Sequence, residues 1–439
     1  MSARRRPVTS PSRRTFLGLL GSSAVLAGCA PSIGAGTDLD PAQFREGSYT
    51  GPHQRLEFWN PFTGGDGPAM AAMVDAFNAE HEDVDVVMTS LAADSMYTKV
   101  MPAVGAGVGP DVAIMHLDQL ATFAARNTLV PLDEMATGLG VDGEDFVPAA
   151  WDNGVYQGVR YGIPLDFFTV AQYWSTEALD AAGTPGPVLD AAGFDETAAA
   201  LQASGVAEPF WVTPSWQLFV TLLAQFGGRL YNPEGTVAEM GSDAGVQALS
   251  WMVEQIERGI SPAGATDPRT PFKNGSAALL ADLPAAIPDL QLTAPDLDWQ
   301  VAPFPQIGPQ PGVFANSHNF VLTGQSQRDE NAAHAAQTFV DWVSRNSAPW
   351  IVGGNTPARA SVRELEEFRS SPQAPLATED VFDMAAFLPQ IPGSREIAAN
   401  TFQRAVGEAV LGGVDPAEAL AFAQQTAQDE LDDMNELLG

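Results

Sequence analysis

Residues 161–173, Tyr161-Gly162-Ile163-Pro164-Leu165-Asp166-Phe167-Phe168-Thr169-Val170-Ala171-Gln172-Tyr173, decide the fold of this chain. After the Gly-Ile-Pro turn the stretch is almost continuously apolar, which is typical of a strand that is buried on both faces. The chain has 439 residues, and two lobes of about 100–200 residues each are the natural expectation. The stretch therefore predicts a strand that crosses from one lobe to the other.

Strands and helices alternate on the N-terminal side of this crossing. Residues 55–59 alternate in polarity like a strand, and residues 111–115 form a short apolar run. Between them, residues 70–77 carry apolar side chains at the i, i+3, i+4, i+7 spacing of one helix face. This alternation predicts an α/β fold with a mostly parallel sheet that is covered on both faces.

Helical patterns dominate the C-terminal side. Residues 216–227 and 244–258 are amphipathic, and Asp415-Pro416-Ala417-Glu418 has the N-cap, Pro and Glu order of a helix start. Residues 320–322 return as a strand. Pro and Gly are dense over residues 262–311, where we expect mainly loops.

Residues 1–28 have the features of an export signal, with five Arg residues before a short apolar run. Residues 12–17, Ser-Arg-Arg-Thr-Phe-Leu, resemble a twin-arginine signal. Leu26-Ala27-Gly28-Cys29 resembles a bacterial lipobox, so we expect lipidation of Cys29, the only Cys in the chain. A buried or stray thiol is the alternative. Residues 29–51 then form the lipidated Cys and a flexible tether.

The chain is strongly acidic, with a formal net charge of −33 and only two Lys residues, Lys99 and Lys273. This charge argues against nucleic acid and against an anionic ligand as the main partner. The single Cys excludes an internal disulfide and a Cys-rich metal site. Five His residues without clustered carboxylates predict no metal site, and we expect no cofactor.

Common catalytic motifs are missing from the sequence. His81-Glu82 has no second His four positions on, and Gly105-Ala106-Gly107 is followed by Pro110 where a dinucleotide loop needs Gly or Ala. Neither Lys follows a Gly as in a P-loop, and no Gly-x-Ser-x-Gly occurs. A pair such as Asp118 and Asp166 suggests a glycosidase only weakly, because a chain with 54 acidic residues offers many such pairs. We therefore expect a protein that is not an enzyme.

Seven short segments follow one another between residue 56 and the C-terminus. They are Phe58-Trp59-Asn60 with Gly64-Gly65-Asp66-Gly67, Phe77-Asn78 with Val84-Asp85-Val86, Tyr97-Thr98-Lys99 with Gly107-Val108-Gly109-Pro110-Asp111-Val112, residues 158–166, residues 272–278, residues 299–305 and Pro357-Ala358-Arg359. In this order they resemble the sugar-type extracellular solute-binding proteins of ABC importers, the family that contains maltose-binding and glycerol-phosphate-binding proteins.

The resemblance implies the two-lobe periplasmic-binding-protein fold of type II, with hinge strands and a ligand cleft between the lobes. One lobe would take residues 52–165 and 318–358, and the other residues 166–317 and 359–439. The partners would be a sugar ligand and two membrane-embedded permease subunits, with no nucleic acid. We expect a monomer, held by its N-terminal lipid at the extracytoplasmic face of the cell membrane.

Four candidate ligand residues lie where strands of the first lobe end, which is where open parallel sheets bind ligands. Sugars need an aromatic face and polar groups for their hydroxyls. Trp59 is a candidate for stacking on a sugar, with a core position as the alternative. Asp66 suits a hydroxyl or a helix N-cap. His116 and Asp118 follow the strand at 111–115, and Asp118 has a helix cap as its alternative.

Four more candidates lie at the two crossings. Asp166 would be costly to bury unpaired, which favours a cleft position. Phe168 faces the same side, with a core position as the alternative. His318 and Asn319 lie at the second crossing, where polar groups must reach ligand, water or backbone.

The resemblance adds residues of the second lobe. Trp216 and Gln217 begin a helix where maltose-binding relatives have an aromatic ligand contact. Arg359 matches an Arg that contacts ligand in part of the family, with a surface salt bridge as the alternative. Many relatives have a Gly-x-Trp loop where this chain has residues 281–284, Ala-Asp-Leu-Pro, without an aromatic residue. Asp282 of this loop is a further candidate for a hydroxyl.

Other functions stay open at this point. The same fold with Arg359 in the cleft suits glycerol-3-phosphate or a related phosphodiester. An extracytoplasmic glycosidase and a scaffold lipoprotein that binds another protein are alternatives of a different class.

Overall fold

The computed structural model describes residues 39–438, so the predicted export signal, Cys29 and the first residues of the tether lie outside the described residues. The strands are β1 (Gln54–Asn60), β2 (Val84–Ser90), β3 (Val112–His116), β4 (Val155–Tyr156), β5 (Val159–Arg160), β6 (Ile163–Pro164), β7 (Asp166–Thr169), β8 (Ala171–Ser175), β9 (Leu279–Asp282), β10 (Trp299–Pro303), β11 (Val313–Asn316), β12 (His318–Leu322), β13 (Thr356–Pro357) and β14 (Ala385–Ala386).

The α-helices divide into eight before residue 226 and ten after it. The first eight are α1 (Gly67–Glu80), α2 (Ala93–Gly105), α3 (Leu120–Ala125), α4 (Asp133–Gly138), α5 (Pro148–Asp152), α6 (Thr176–Ala182), α7 (Ala191–Ser204) and α8 (Trp216–Gln225). The others are α9 (Asp243–Glu257), α10 (Arg269–Lys273), α11 (Ala286–Thr293), α12 (Glu330–Arg345), α13 (Ala360–Arg363), α14 (Glu366–Arg369), α15 (Glu379–Asp383), α16 (Ser394–Ile397), α17 (Gln403–Val410) and α18 (Pro416–Leu438). Within residues 39–438, none of the helices is long and apolar enough to cross a membrane.

The first sheet has the order β2-β1-β3-β12-β6, in which β1, β2 and β3 are parallel and β12 is antiparallel. Both of its faces are covered. Leu56 and Phe58 belong to a core cluster with Phe339 of α12, whereas Met115 belongs to a second cluster with Met96 of α2. The prediction of a largely parallel sheet with two buried faces is confirmed here.

The chain passes between the first sheet and its neighbour at two strand pairs. β6 is followed by Leu165 and then β7, and β11 is followed by Ser317 and then β12. The second sheet has the order β13-β7-β11-β14. Leu165 links the two passages because its backbone N donates to His318 O (2.8 Å). Its carbonyl also accepts from Ala358 N (3.1 Å), which follows β13.

The predicted strand at 165–173 is two strands, β7 and β8, on either side of Val170. β8 lies between β9 and β10 in a third sheet. Helices α8, α9, α17 and α18 contribute to one large apolar cluster, which includes Phe219 of α8 and Leu420 of α18. The predicted division into residues 52–165 with 318–358 and 166–317 with 359–439 stays a prediction.

The expectation of loops over residues 262–311 is wrong in part, since α10, β9, α11 and β10 lie there. Pro271 and Pro288 fall in the first turns of α10 and α11, where a helix loses no hydrogen bond to Pro. The expected flexible tether over residues 29–51 is also too long. Arg45 exchanges two backbone hydrogen bonds (3.0 and 2.7 Å) with the Gln337 side chain of α12, and Tyr49 is buried.

Candidate functional site

Two histidines meet where the first sheet ends. His116 is the last residue of β3 and His318 the first of β12, and the antiparallel register places the two residues opposite each other. Their ring centroids are 4.6 Å apart. Phe62 and Phe168 border the His318 ring at centroid distances of 4.9 and 5.0 Å. The predicted candidates His116, His318 and Phe168 are therefore brought together.

Asp166 lies beneath this pair and is completely buried. Its Oδ1 accepts from the backbone N of His318 (2.8 Å). Its Oδ2 accepts from His318 Nδ1 (2.8 Å), Trp350 Nε1 (2.9 Å) and Asn355 Nδ2 (3.0 Å). Four N–H donors satisfy the carboxylate without a ligand, so Asp166 positions His318 and the hinge.

Gly354 directly precedes Asn355, which donates to Asp166. Gly354 has φ +89°, and a Cβ at this position would lie 2.9 Å from Pro288 Cδ of α11. Only glycine combines this backbone conformation with so close an approach. The turn before Asn355 is thereby packed directly against α11.

His116 is held from the other side by Tyr97 of α2. The Tyr97 hydroxyl lies 2.5 Å from His116 Nδ1 and accepts a hydrogen bond from the His116 backbone N (3.0 Å). Burial, and then the positive Arg395 and the neighbouring His318, hold the pKa of His116 well below its usual value. His116 is therefore neutral at physiological pH.

Asp118 is buried beside the pair and has one oxygen without a partner. Its Oδ2 accepts from Asn316 Nδ2 (2.7 Å) and pairs with Arg395 Nη1 (3.2 Å). Its Oδ1 is buried and makes no hydrogen bond within the described part of the chain. Burial lowers the pKa of Arg395, but Asp118 and Tyr97 more than compensate and raise it. A partner for Oδ1 has to come from water or a ligand.

Asp66 resembles Asp118 in this respect. It is the N-cap residue of α1, yet its side chain makes no capping hydrogen bond, and its Oδ1 is buried without a partner. Burial raises the pKa of Asp66, which the nearby His318 partly offsets. The alternative role as a side-chain cap is therefore not what the structure shows, and the carboxyl is available to a ligand.

Residues 72–376 match the family of bacterial extracellular solute-binding proteins. The chain belongs to this family. A binding protein of Brucella abortus is 22% identical over 379 residues, which are 82% of this chain and 89% of that protein.

Solved structures show the same two-lobe fold. The GacH receptor of Streptomyces glaucescens, solved unliganded and with acarbose, matches with a TM-score of 0.77 and 22% identity over 87% of this chain and all of that one. UgpB of Mycobacterium tuberculosis, solved with glycerophosphocholine, matches with a TM-score of 0.74 and 22% identity over 88% of this chain and 99% of that one. The predicted fold class is confirmed.

The aromatic candidates of this solute-binding protein differ in exposure. Trp59, near the end of β1, is half-buried and packs on the cluster that contains Met96, as Tyr97 also does. Trp216 is 6% exposed and lies edge-on to Phe314 at 5.0 Å, so most of its indole is already used in packing. Gln217 accepts from the Ser215 hydroxyl (3.3 Å).

Two further candidates have partners of their own in this solute-binding protein. Asp282 pairs with Arg269 (2.5 Å). Arg359 is buried, donates to Ser344 Oγ (3.0 Å) and Asp145 Oδ2 (2.7 Å), and lies over the Phe146 ring. Its predicted surface salt bridge is therefore a buried one.

Asn319 is fully buried in β12, and its Nδ2 donates to Ser317 O (3.2 Å). Its Oδ1 is buried without a partner. Pro164 and Met115 are its neighbours in the sheet. Asn319 thus lies between strands of the first sheet, one residue inward from His318.

Sequence reasoning missed Tyr97 and Arg395. Tyr97 stands in a family-like segment, but nothing in the sequence indicates that its hydroxyl meets a residue 19 positions later. Arg395 is the second residue of helix α16 and pairs with Asp118, 277 positions earlier. A rare cation after a Gly-Ser pair in so acidic a chain is the only available signal.

Proposed function

We propose that this solute-binding protein is the substrate-binding component of an ABC importer and that it captures a mono- or oligosaccharide. The observation that carries the proposal is the contact between His116 and His318 at the strand ends, with Asp66 close enough for His318 to influence its pKa. Asp118 follows His116 by two residues, and the half-buried Trp59 lies near the end of the neighbouring strand β1. These are imidazole and carboxyl groups, which can hydrogen-bond to sugar hydroxyls. The aromatic residue supplies a face for the C–H surface of a sugar.

A neutral ligand suits the charges better than a phosphodiester. Arg395 is the cation nearest the histidine pair, and Asp118 already compensates its charge at 3.2 Å. The other cation considered, Arg359, is taken up by Asp145. The similarity to UgpB and the position of Arg395 keep a glycerophosphodiester as the second candidate, which would have to draw Arg395 away from Asp118.

Catalysis is not part of the proposal. A glycosidase needs two carboxyl groups that are free to exchange protons or attack the sugar. All four hydrogen bonds at Asp166 come from N–H donors, which occupy both oxygens. Asp166 is therefore unsuited to act with Asp118 as a catalytic pair.

Transport would follow from the hinge. The chain passes between the sheets at β6–β7 and β11–β12, and repeated crossings allow two lobes to rotate without unthreading. Closure around the sugar would present the protein to two permease subunits. We further propose that Cys29 carries lipid and holds the protein, as a monomer, at the extracytoplasmic face of the membrane.

Thermal unfolding tests the ligand. The full chain with Cys29→Ser, which keeps it soluble, is heated with glucose, maltose, maltotriose, acarbose or glycerophosphocholine. A ligand at about 100 times its Kd adds about 2.7 kcal/mol to the free energy of unfolding and raises the Tm. A rise in Tm with a sugar supports the proposal if Trp59→Ala abolishes the rise and the exposed-site control His53→Ala retains it. A rise with glycerophosphocholine alone favours the second candidate, and no rise removes both.

A further inference from the structure

Each histidine of the pair has one ring nitrogen fixed by a different partner. His116 Nδ1 faces the Tyr97 hydroxyl at 2.5 Å, and His318 Nδ1 faces Asp166 Oδ2 at 2.8 Å. The two partners differ in their ability to donate a hydrogen bond. A hydroxyl is able to donate, whereas a carboxylate only accepts.

The Tyr97 hydroxyl has one proton and already accepts from the His116 backbone N. If His116 Nδ1 carried a proton, the hydroxyl would accept twice, and its own proton would have no acceptor among the described residues. If instead the hydroxyl donates to Nδ1, the hydroxyl proton, the ring nitrogen and the backbone N–H of His116 each have a hydrogen-bond partner. His116 then carries its proton on Nε2.

The opposite holds for His318. Asp166 Oδ2 also accepts from Trp350 and Asn355, and all of its contacts are with N–H donors. His318 Nδ1 must therefore carry a proton. In the neutral ring, Nε2 is left with a lone pair.

Neither Nε2 has a partner within the described residues, and neither is among the fully buried polar atoms that lack one. Both therefore reach space that solvent or a ligand occupies, on rings 4.6 Å apart.

We propose that His116 and His318 form a hydrogen-bonding pair of fixed polarity, His116 donating through Nε2–H and His318 accepting at Nε2, which selects a neutral ligand with two adjacent hydroxyl groups. The ligand preference rests on the proposed sugar-binding function, whereas the polarity of the pair does not. One hydroxyl accepts from His116 while its neighbour donates to His318. Tyr97 and Asp166 act as positioning residues.

The pair discriminates against ions of either sign. A phosphate or carboxylate has no proton for His318, and an ammonium group has no lone pair for His116. Leaving one buried polar group unpaired costs about 1–3 kcal/mol, so the wrong ligand class binds about 5- to 150-fold more weakly.

The polarity is measured without any ligand. The chain has five His residues, so ¹⁵N-histidine labelling of the full chain with Cys29→Ser gives few signals, assigned with His→Gln variants. Long-range ¹H–¹⁵N spectra at about pH 7.5 should show His116 protonated at Nε2 and His318 at Nδ1. Tyr97→Phe should change the His116 tautomer signals and leave those of His318. The same tautomer on both rings, or a doubly protonated His318 at this pH, would overturn the proposal.

The selection is measured by calorimetry with whichever of maltose, maltotriose, acarbose and glucose raises the Tm. His116→Phe should weaken binding about tenfold, and His116→Gln, which restores an N–H donor, should recover most of it. The exposed-site control His53→Gln should change nothing. An unchanged Kd in His318→Phe, which removes the acceptor, would contradict the role of His318. If no sugar binds, the proposed function fails, while the tautomer measurement still decides the polarity.

Discussion

Asp166 and Asp118 are both buried carboxyls at the same end of the first sheet, with exposed fractions of 0% and 2%, yet their surroundings differ. Asp166 accepts four hydrogen bonds from N–H donors of the protein. The Oδ2 of Asp118 has Asn316 and Arg395 as partners, whereas its Oδ1 has no partner among residues 39–438. A carboxylate that the protein satisfies completely serves the architecture, and one left half-satisfied serves a ligand.

The largest expected effect is on stability at Asp166. Asp166→Ala leaves the buried N–H groups of His318, Trp350 and Asn355 without their acceptor. Breaking a buried charged network from one side costs about 3–5 kcal/mol. We expect a loss of this size in the free energy of unfolding, measured by urea denaturation without ligand.

Asp118→Ala is the matched control for that measurement. It should lose clearly less stability, because Asn316 and Arg395 are the only protein groups it leaves unpaired, and Arg395 has an exposed fraction of 20%. Equal losses of stability in the two variants would break the distinction between the two carboxyls.

The next effect is on affinity at Asp118. Asp118→Asn keeps the size of the side chain but replaces a charged acceptor near the ligand. Hydrogen bonds to charged groups contribute about 1.5–3 kcal/mol, so we expect affinity for the bound sugar to fall about 10- to 100-fold. Calorimetry measures it, and an unchanged Kd would mean that Oδ1 meets only water.

Part of this could be predicted from the sequence and part could not. Local apolar patterns place β1, β3 and α1 correctly: alternation for β1, a continuous apolar run for β3 and helical spacing for α1. His116, His318 and Asp166 were candidates because polar residues at strand ends need a partner. That the partner of Asp166 is the protein itself depends on Trp350 and Asn355, which lie far along the chain.

The errors have the same origin. Dense Pro and Gly concealed α10 and α11, because their prolines fall in first turns where the local signal is ambiguous. Residues 39–51 have the composition of a tether, yet they dock on α12 through backbone hydrogen bonds that leave no trace in composition. Arg395 reaches Asp118 only through the packing of the tail.

Asp66 sharpens the comparison through pH. Burial raises the pKa of Asp66 in the folded state, so folding favours its protonated form over its charged form. The stability that Asp66 contributes is therefore present at low pH and is lost as the pH rises through the folded-state pKa. Asp66→Asn should therefore raise the Tm by about 1–3 °C at neutral pH and have no effect below about pH 3.5. Calorimetric scans at both pH values measure this, and a stabilisation that persists at low pH would show that charge is not its cause.

The smallest expected effect on affinity is at Arg359, for which the family resemblance suggested a ligand contact with a salt bridge as the alternative. Its Nε and Nη1 donate to Ser344 and Asp145 and its guanidinium packs on Phe146, although its Nη2 has no partner within the described residues. Arg359→Gln should therefore lower the free energy of unfolding by about 1–3 kcal/mol and leave the Kd for sugar within about twofold. The pKa of Asp145 is held below its usual value by hydrogen bonds from Ser361 and Arg359, despite the opposing effect of burial, so the variant should also raise that pKa. A selective loss of affinity for glycerophosphocholine would instead place Arg359 at the ligand and make Arg395, not Arg359, the structural cation.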